Sequence, residues 1–131
     1  MMRLPLAGWA ALSIFGMSFT AEAQRQGVPN RMLSKTDTSV PGLEVVQTMA
    51  TYAPGSATAR HAHPVDMVGY VVEGVVTFEK DGAAPISYRQ GQSFVVPAGV
   101  AHRSSNAGTT EANLIATYVL RKDQPINVPN Q

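Results

Sequence analysis

The chain reads as an all-β domain of the sandwich or barrel class. Two observations say so. Downstream of residue 42, short β-branched and apolar runs alternate with Gly and Pro punctuation, enough for seven or more strands. No stretch of that region carries an apolar stripe at the helical period.

Taken in chain order, the first 23 residues stand apart. Met1-Met2-Arg3 is a short positive segment, and Leu4 to Phe19 is mostly apolar, with Trp9, Leu12, Ile14, Phe15 and Met17. Thr20-Ala21-Glu22-Ala23-Gln24 then offers a small-residue cleavage site after Ala23. Pro5, Gly8 and Gly16 interrupt the apolar run, which falls short of the roughly 20 apolar residues of a membrane span. A cleaved signal peptide is expected rather than an anchor, with a periplasmic or secreted product that has no membrane association after cleavage. No cysteine follows the site, so lipid attachment there is not offered.

Residues 24–42 are expected to form an N-terminal arm. Gln24 to Thr38 is polar, suited to a flexible segment or to a strand that docks on a partner. Residues 43–120 form the domain. Leu43 to Tyr52 is β-branched and partly alternating, and Ala53-Pro54-Gly55 ends it. Met67 to Val72 and Val75 to Phe78 flank Gly74, and Lys80-Asp81-Gly82 is a hairpin signal. Ile86 to Arg89 and Ser93 to Val96 are split by Gly91, Pro97-Ala98-Gly99 makes another turn, and Asn113 to Leu120 is the last strong strand. Residues 121–131 form a tail with little that could pack.

The formal charge is +1 and no basic block occurs, which argues against nucleic acid as a partner. The chain has no cysteine, so stability must come from packing, oligomerisation or a bound metal.

Three histidines carry the chemistry: His61, His63 and His102. Side chains two apart on an extended segment face the same way, so His61 and His63 point together. One histidine beside a loop is ordinarily just a polar residue. Here all three are tied to Gly and Pro at set spacings, and imidazole is the commonest metal ligand near neutral pH.

Those spacings resemble the cupin family. Gly55, five residues, His61-Ala62-His63, three residues, Met67, six residues, Gly74 is similar to the first cupin motif at every position but one. Gly91, five residues, Pro97-Ala98-Gly99, two residues, His102, three residues, Asn106 is similar to the second in full. Val75 to Gln90 separates them. The resemblance implies a double-stranded β-helix, a jelly-roll cupin barrel. Each motif is expected to supply a pair of neighbouring strands, and His61, His63 and His102 are expected to point inward to one metal. Asn106 is expected to fix a turn without touching the ion. Small cupins commonly dimerise, and Val28 to Val40 is the expected contact.

The departure is Met67, which stands where the family has a glutamate ligand. Three readings stay open. The thioether binds the ion, which favours copper over ions that prefer carboxylate oxygen. Met67 packs beside a three-histidine face that holds a transition metal, with copper, iron, nickel, zinc and manganese as the options. Or Met67 is apolar filler, and the barrel binds a small molecule without metal. Asp66 reaches the interior only through a local bulge. Two functions follow: a metal-dependent, oxidoreductase- or dioxygenase-like enzyme acting on a small organic substrate, or a non-catalytic protein holding copper or a small ligand. Tyr52, Tyr70, Phe78, Phe94 and Tyr118 are expected as core or cavity wall. Arg60 is expected to face a ligand carboxylate or solvent, and no serine has a nucleophile's partners.

Overall fold

The computed structural model describes residues 27–128; the expected signal peptide lies outside the described residues. The described residues form eight strands: β1(Asn30–Asp37), β2(Leu43–Tyr52), β3(Met67–Glu73), β4(Val75–Lys80), β5(Ile86–Arg89), β6(Ser93–Val96), β7(His102–Ser105) and β8(Ala112–Arg121). They form two sheets, β1-β2-β8-β3-β6 and β5-β4-β7, with antiparallel pairing throughout. The expected jelly roll of two packed sheets is what the chain adopts.

The long β2–β8 ladder sets the interior. Its ten pairs run without a bulge from Leu43 opposite Arg121 to Tyr52 opposite Ala112. Strand side chains alternate between faces, so Val46, Thr48, Ala50 and Tyr52 from β2 are buried with Ala112, Leu114, Ala116, Tyr118 and Leu120 from β8. Val71, Val76 and Val96 close the core from both sheets and are fully shielded from solvent. Each such side chain stabilises the fold by roughly 1.5–3 kcal/mol relative to exposure.

The three-stranded sheet is narrower than the five-stranded one. β1 lies at the edge of the wider sheet and all eight of its residues are exposed. The polar arm is thus a strand paired to β2 of its own chain, with a register shift between Met32 and Ser34. Lacking an apolar face, it is held by backbone bonds and by ion pairs such as Lys35 with Glu44 at 3.3 Å.

Two expectations are corrected by the pairing. The motifs do not form separate strand pairs: β3 of the first pairs with β6 of the second, and Ala57 and His61 bridge to Ser105 and His102 of β7. The tail also packs. Ile126 leans on the core, and Val128 N–H donates to the Ala62 carbonyl at 3.0 Å.

The turns use glycine where the backbone requires it. Gly74 joins β3 to β4 at φ +72°, and a Cβ there would lie 2.5 Å from the Glu111 carbonyl oxygen. Gly82, in the β4–β5 hairpin, has φ +73° but open space around it. Gly74→Ala therefore combines left-handed strain with a backbone clash, and a loss of about 3 kcal/mol is expected. Gly82→Ala meets the strain alone and should lose about 1 kcal/mol. Urea unfolding of the two variants tests the difference; equal losses would contradict the packing described at Gly74.

Candidate metal centre

His61 and His102 are joined backbone to backbone. His61 N–H donates to the His102 carbonyl at 3.0 Å, and His102 N–H donates back to the His61 carbonyl at 2.8 Å. Residues paired across antiparallel strands in this way carry their side chains on the same face. His63, two residues on, shares that face. The run around His61 and His63 is not a regular strand, as the sequence suggested; it is extended chain held by isolated bridges at Ala57, His61 and Ala62. The extended backbone is enough to keep the two rings together.

The three ring centres lie 4.4 to 5.0 Å apart. One nitrogen from each ring falls within 4.8 Å of the others. In every ring Nδ1 faces a backbone carbonyl: Ala59 for His61 at 2.8 Å, Ile126 for His63 at 2.9 Å and Val100 for His102 at 2.9 Å. A carbonyl oxygen only accepts, so each Nδ1 carries the proton and each Nε2 keeps a lone pair. Carbonyl partners of this kind fix ring orientation and tautomer in metal-binding histidines.

Burial sharpens the point. His63 and His102 are each 2% exposed, and the His63 Nε2 atom is buried without a hydrogen-bond partner. An unpaired buried acceptor is costly. A cation in reach of all three Nε2 atoms removes that cost, so the residues present fit a metal ion. Burial pulls the His63 pKa down to about 4, with help from His102 and His61 and against the hydrogen bonds of the Ile126 carbonyl and, more weakly, the Asn127 side chain. Burial also lowers His102, opposed by the Val100 hydrogen bond and aided by the charges of His61 and Lys80. Both rings are held neutral, the form that binds metal.

The histidines line a cavity of about 300 Å³. Met67, at the start of β3, is 3% exposed and lines it too. Asp66 does not: its carboxylate is exposed and accepts the Ala98 N–H at 2.8 Å, bracing the turn before β7. The bulge that would have brought it inward is absent from the β3 register at this end. Arg60 pairs with the Asp81 carboxylate at the surface. Asn106 is buried and takes the expected turn role, donating to the Tyr52 and Thr110 carbonyls and accepting from Gly108 N–H. Tyr52, Phe78 and Tyr118 form cavity wall as expected and Phe94 packs in the core, whereas Tyr70 lies on the outer face at 46% exposure.

A polar group went unread in the sequence. Tyr52 hydroxyl and Ser104 Oγ lie 2.8 Å apart, and Thr58 Oγ1 is 3.3 Å from the same Ser104 oxygen. Thr48 Oγ1 is buried at the cavity wall with no partner. The available signal was a lone hydroxyl on the inward face of an alternating strand. Burial raises the pKa of both tyrosines: at Tyr52 the Ser104 hydrogen bond opposes the shift, and at Tyr118 the neighbouring Tyr52 adds to it. Both remain neutral hydroxyls. Among the described residues, no carboxylate, lysine or arginine lines the cavity.

A family model described as cupin domain matches residues 48–118. The chain belongs to the cupin family. Oxalate oxidase GF-3.8 of Triticum aestivum is 28% identical over 123 residues, an alignment covering 83% of this cupin and 54% of the relative. Oxalate oxidase 2 of Hordeum vulgare is 27% identical over 95 residues, covering 66% and 42%. The chain spans about half the length of the curated relatives it matches. Among solved structures, a cupin domain from Bordetella pertussis superposes with TM-score 0.62 at 23% identity, covering 74% of this chain and 97% of that one. An oxalate oxidase in complex with the substrate analogue glycolate superposes with TM-score 0.56 at 24% identity, covering 72% and 59%. These likenesses establish the fold.

In the metal-free protein, His63 should titrate near pH 4 rather than near 6.5 when its ring is followed by ¹H–¹⁵N NMR. The depressed value means that the unfolded chain binds the proton first. Its contribution to stability is therefore complete above pH 6.5 and is lost as pH falls through about 4. Urea midpoints at pH 7 and pH 4.5 should show that fall, and a His63 titrating at its ordinary value would contradict the buried neutral ring.

Proposed function

We propose that this cupin is an exported, metal-dependent oxidoreductase acting on a small oxygen-bearing organic substrate. The observation that carries the reading is the convergence of three Nε2 lone pairs, their tautomers fixed by backbone carbonyls, on one cavity. The oxalate oxidases among its relatives support the reaction class. The leader-like first 23 residues support export.

His61, His63 and His102 would hold the ion, leaving positions open to substrate, with Met67 at the wall beside it. When bound, a transition metal supplies a Lewis-acidic and redox-active centre at which a chelating substrate is polarised. The protein does the rest. Phe78, Ala116 and Met67 supply the apolar part of the wall. Thr48 and the Tyr52–Ser104–Thr58 group offer neutral hydrogen bonds to substrate oxygens. The described cavity wall has no charged side chain to meet a substrate's charge. A small mono- or dianion would therefore be held through the ion, and a bulky or cationic substrate would be rejected. A volume of about 300 Å³ sets the size limit. The outer face of the five-stranded sheet carries exposed Val68, Tyr70, Val95 and Val119, and supports a homodimer.

A second reading rests on Met67. A neutral set of three imidazoles and one thioether suits Cu(I) storage without turnover. Elemental analysis of protein purified without added metal, paired with oxygen uptake on a panel of small organic acids, separates the two. A stoichiometric redox metal with acid-dependent oxygen uptake is expected. Filled Cu(I) without turnover favours the second reading, and His102→Ala should abolish stoichiometric metal in either. Met67→Glu should move preference from copper towards iron or manganese; an unchanged preference would make Met67 filler.

A further inference from the structure

Two of the three Nδ1 protons are held locally. The carbonyls that take them from His61 and His102 belong to Ala59 and Val100, each two residues back along the same extended segment. His63 does not copy that arrangement. The carbonyl two residues before it belongs to His61, and that oxygen accepts the His102 N–H. His63 takes its partner from 63 residues away, the carbonyl of Ile126.

That carbonyl is brought into place by the segment after β8. Val128 N–H donates to the Ala62 carbonyl at 3.0 Å, next to His63 in the chain. The Ile126 side chain packs against the core, and Asn127 between them lines the cavity. Pro125 stiffens the approach by fixing its own φ. On the other side, the His63 carbonyl accepts Gly99 N–H at 2.8 Å, and its ring meets the Tyr118 ring at 5.0 Å. Backbone and one ring edge are thus fixed by the barrel, while the ring tautomer is left to the strap.

We propose that residues 125–128 form a strap whose Ile126 carbonyl is a positioning group for His63, setting its tautomer and aiming its Nε2 into the cavity. The strap makes one ligand of the site conditional on a segment that belongs to neither cupin motif. Its effect on metal affinity rests on the metal-binding reading above; its effect on the tautomer does not.

Two variants test this: deletion of residues 125–131, and Val128→Pro, which leaves the strap in the chain but removes the N–H that clamps it to Ala62. In the metal-free protein, ¹⁵N shifts of the imidazoles report which nitrogen is protonated. The full chain should show His63 protonated at Nδ1. Both variants should mix the His63 tautomers while His61 and His102 keep theirs, since their carbonyls are untouched. Competition against a chromophoric chelator should then show Cu(II) or Zn(II) affinity lower by about 10- to 100-fold, the usual cost of losing an outer partner of a ligating histidine. A merely structural strap would lower the melting temperature and leave the His63 tautomer alone, which overturns the proposal. An unchanged tautomer with unchanged affinity overturns it too. If the full chain binds neither metal, the functional reading fails, and the NMR comparison still decides for or against the strap.

Discussion

The reciprocal hydrogen bonds between His61 and His102 are the constraint on which the site depends. They tie two segments 41 positions apart into one antiparallel pair, and side chains on such a pair must share a face. Everything else at the centre is arranged around that pair. β7 carries His102 and is itself held by β4, with Lys80 opposite His102. His63 follows from the two-residue repeat of extended chain. The backbone gathers the imidazoles, and the carbonyls leave each ring with its lone pair facing inward. The arrangement carries the cost of a buried acceptor without a partner, which an ion bound by the three rings would relieve.

How far the residues announced this varies by element. β2, β5 and β6 fall on the expected residues, because each is a short alternating or apolar run ended by Gly or Pro. β7 was not legible as a strand: His102-Arg103-Ser104-Ser105 has no apolar signature, and pairing with β4 makes it extended. β1 was read as an arm because nothing in Asn30 to Asp37 needs burial; an edge strand can be held by its ladder alone. The interleaving of the motifs was hidden for another reason. Strand pairing between distant segments leaves no local trace, so the order β3 beside β6 had to come from the fold.

The histidines were readable through their spacing, and their convergence was not. Their outer partners could not be read at all, since a backbone carbonyl belongs to every residue. Ile126 is the sharpest case. It lies in a tail that offers little to pack, yet its carbonyl oxygen accepts from the His63 ring. The same blindness explains Thr48 and Ser104, whose hydroxyls look like any surface residue until the β2 and β7 registers turn them inward.

Rings connect the core to this centre. Tyr88 stacks on Phe94 at 4.2 Å, Phe94 meets Phe78 at 4.4 Å, and Phe78 lies parallel to His102 at 5.9 Å. Beside this column, against Phe94, sits Gly69, where an added methyl would come within 2.4 Å of the Phe94 ring. Position 69 therefore has no room for a side chain: any residue but glycine would press on the Phe94 ring, which meets Phe78, the aromatic neighbour of His102, so the demand for a bare backbone on β3 reaches to within two rings of the histidine cluster.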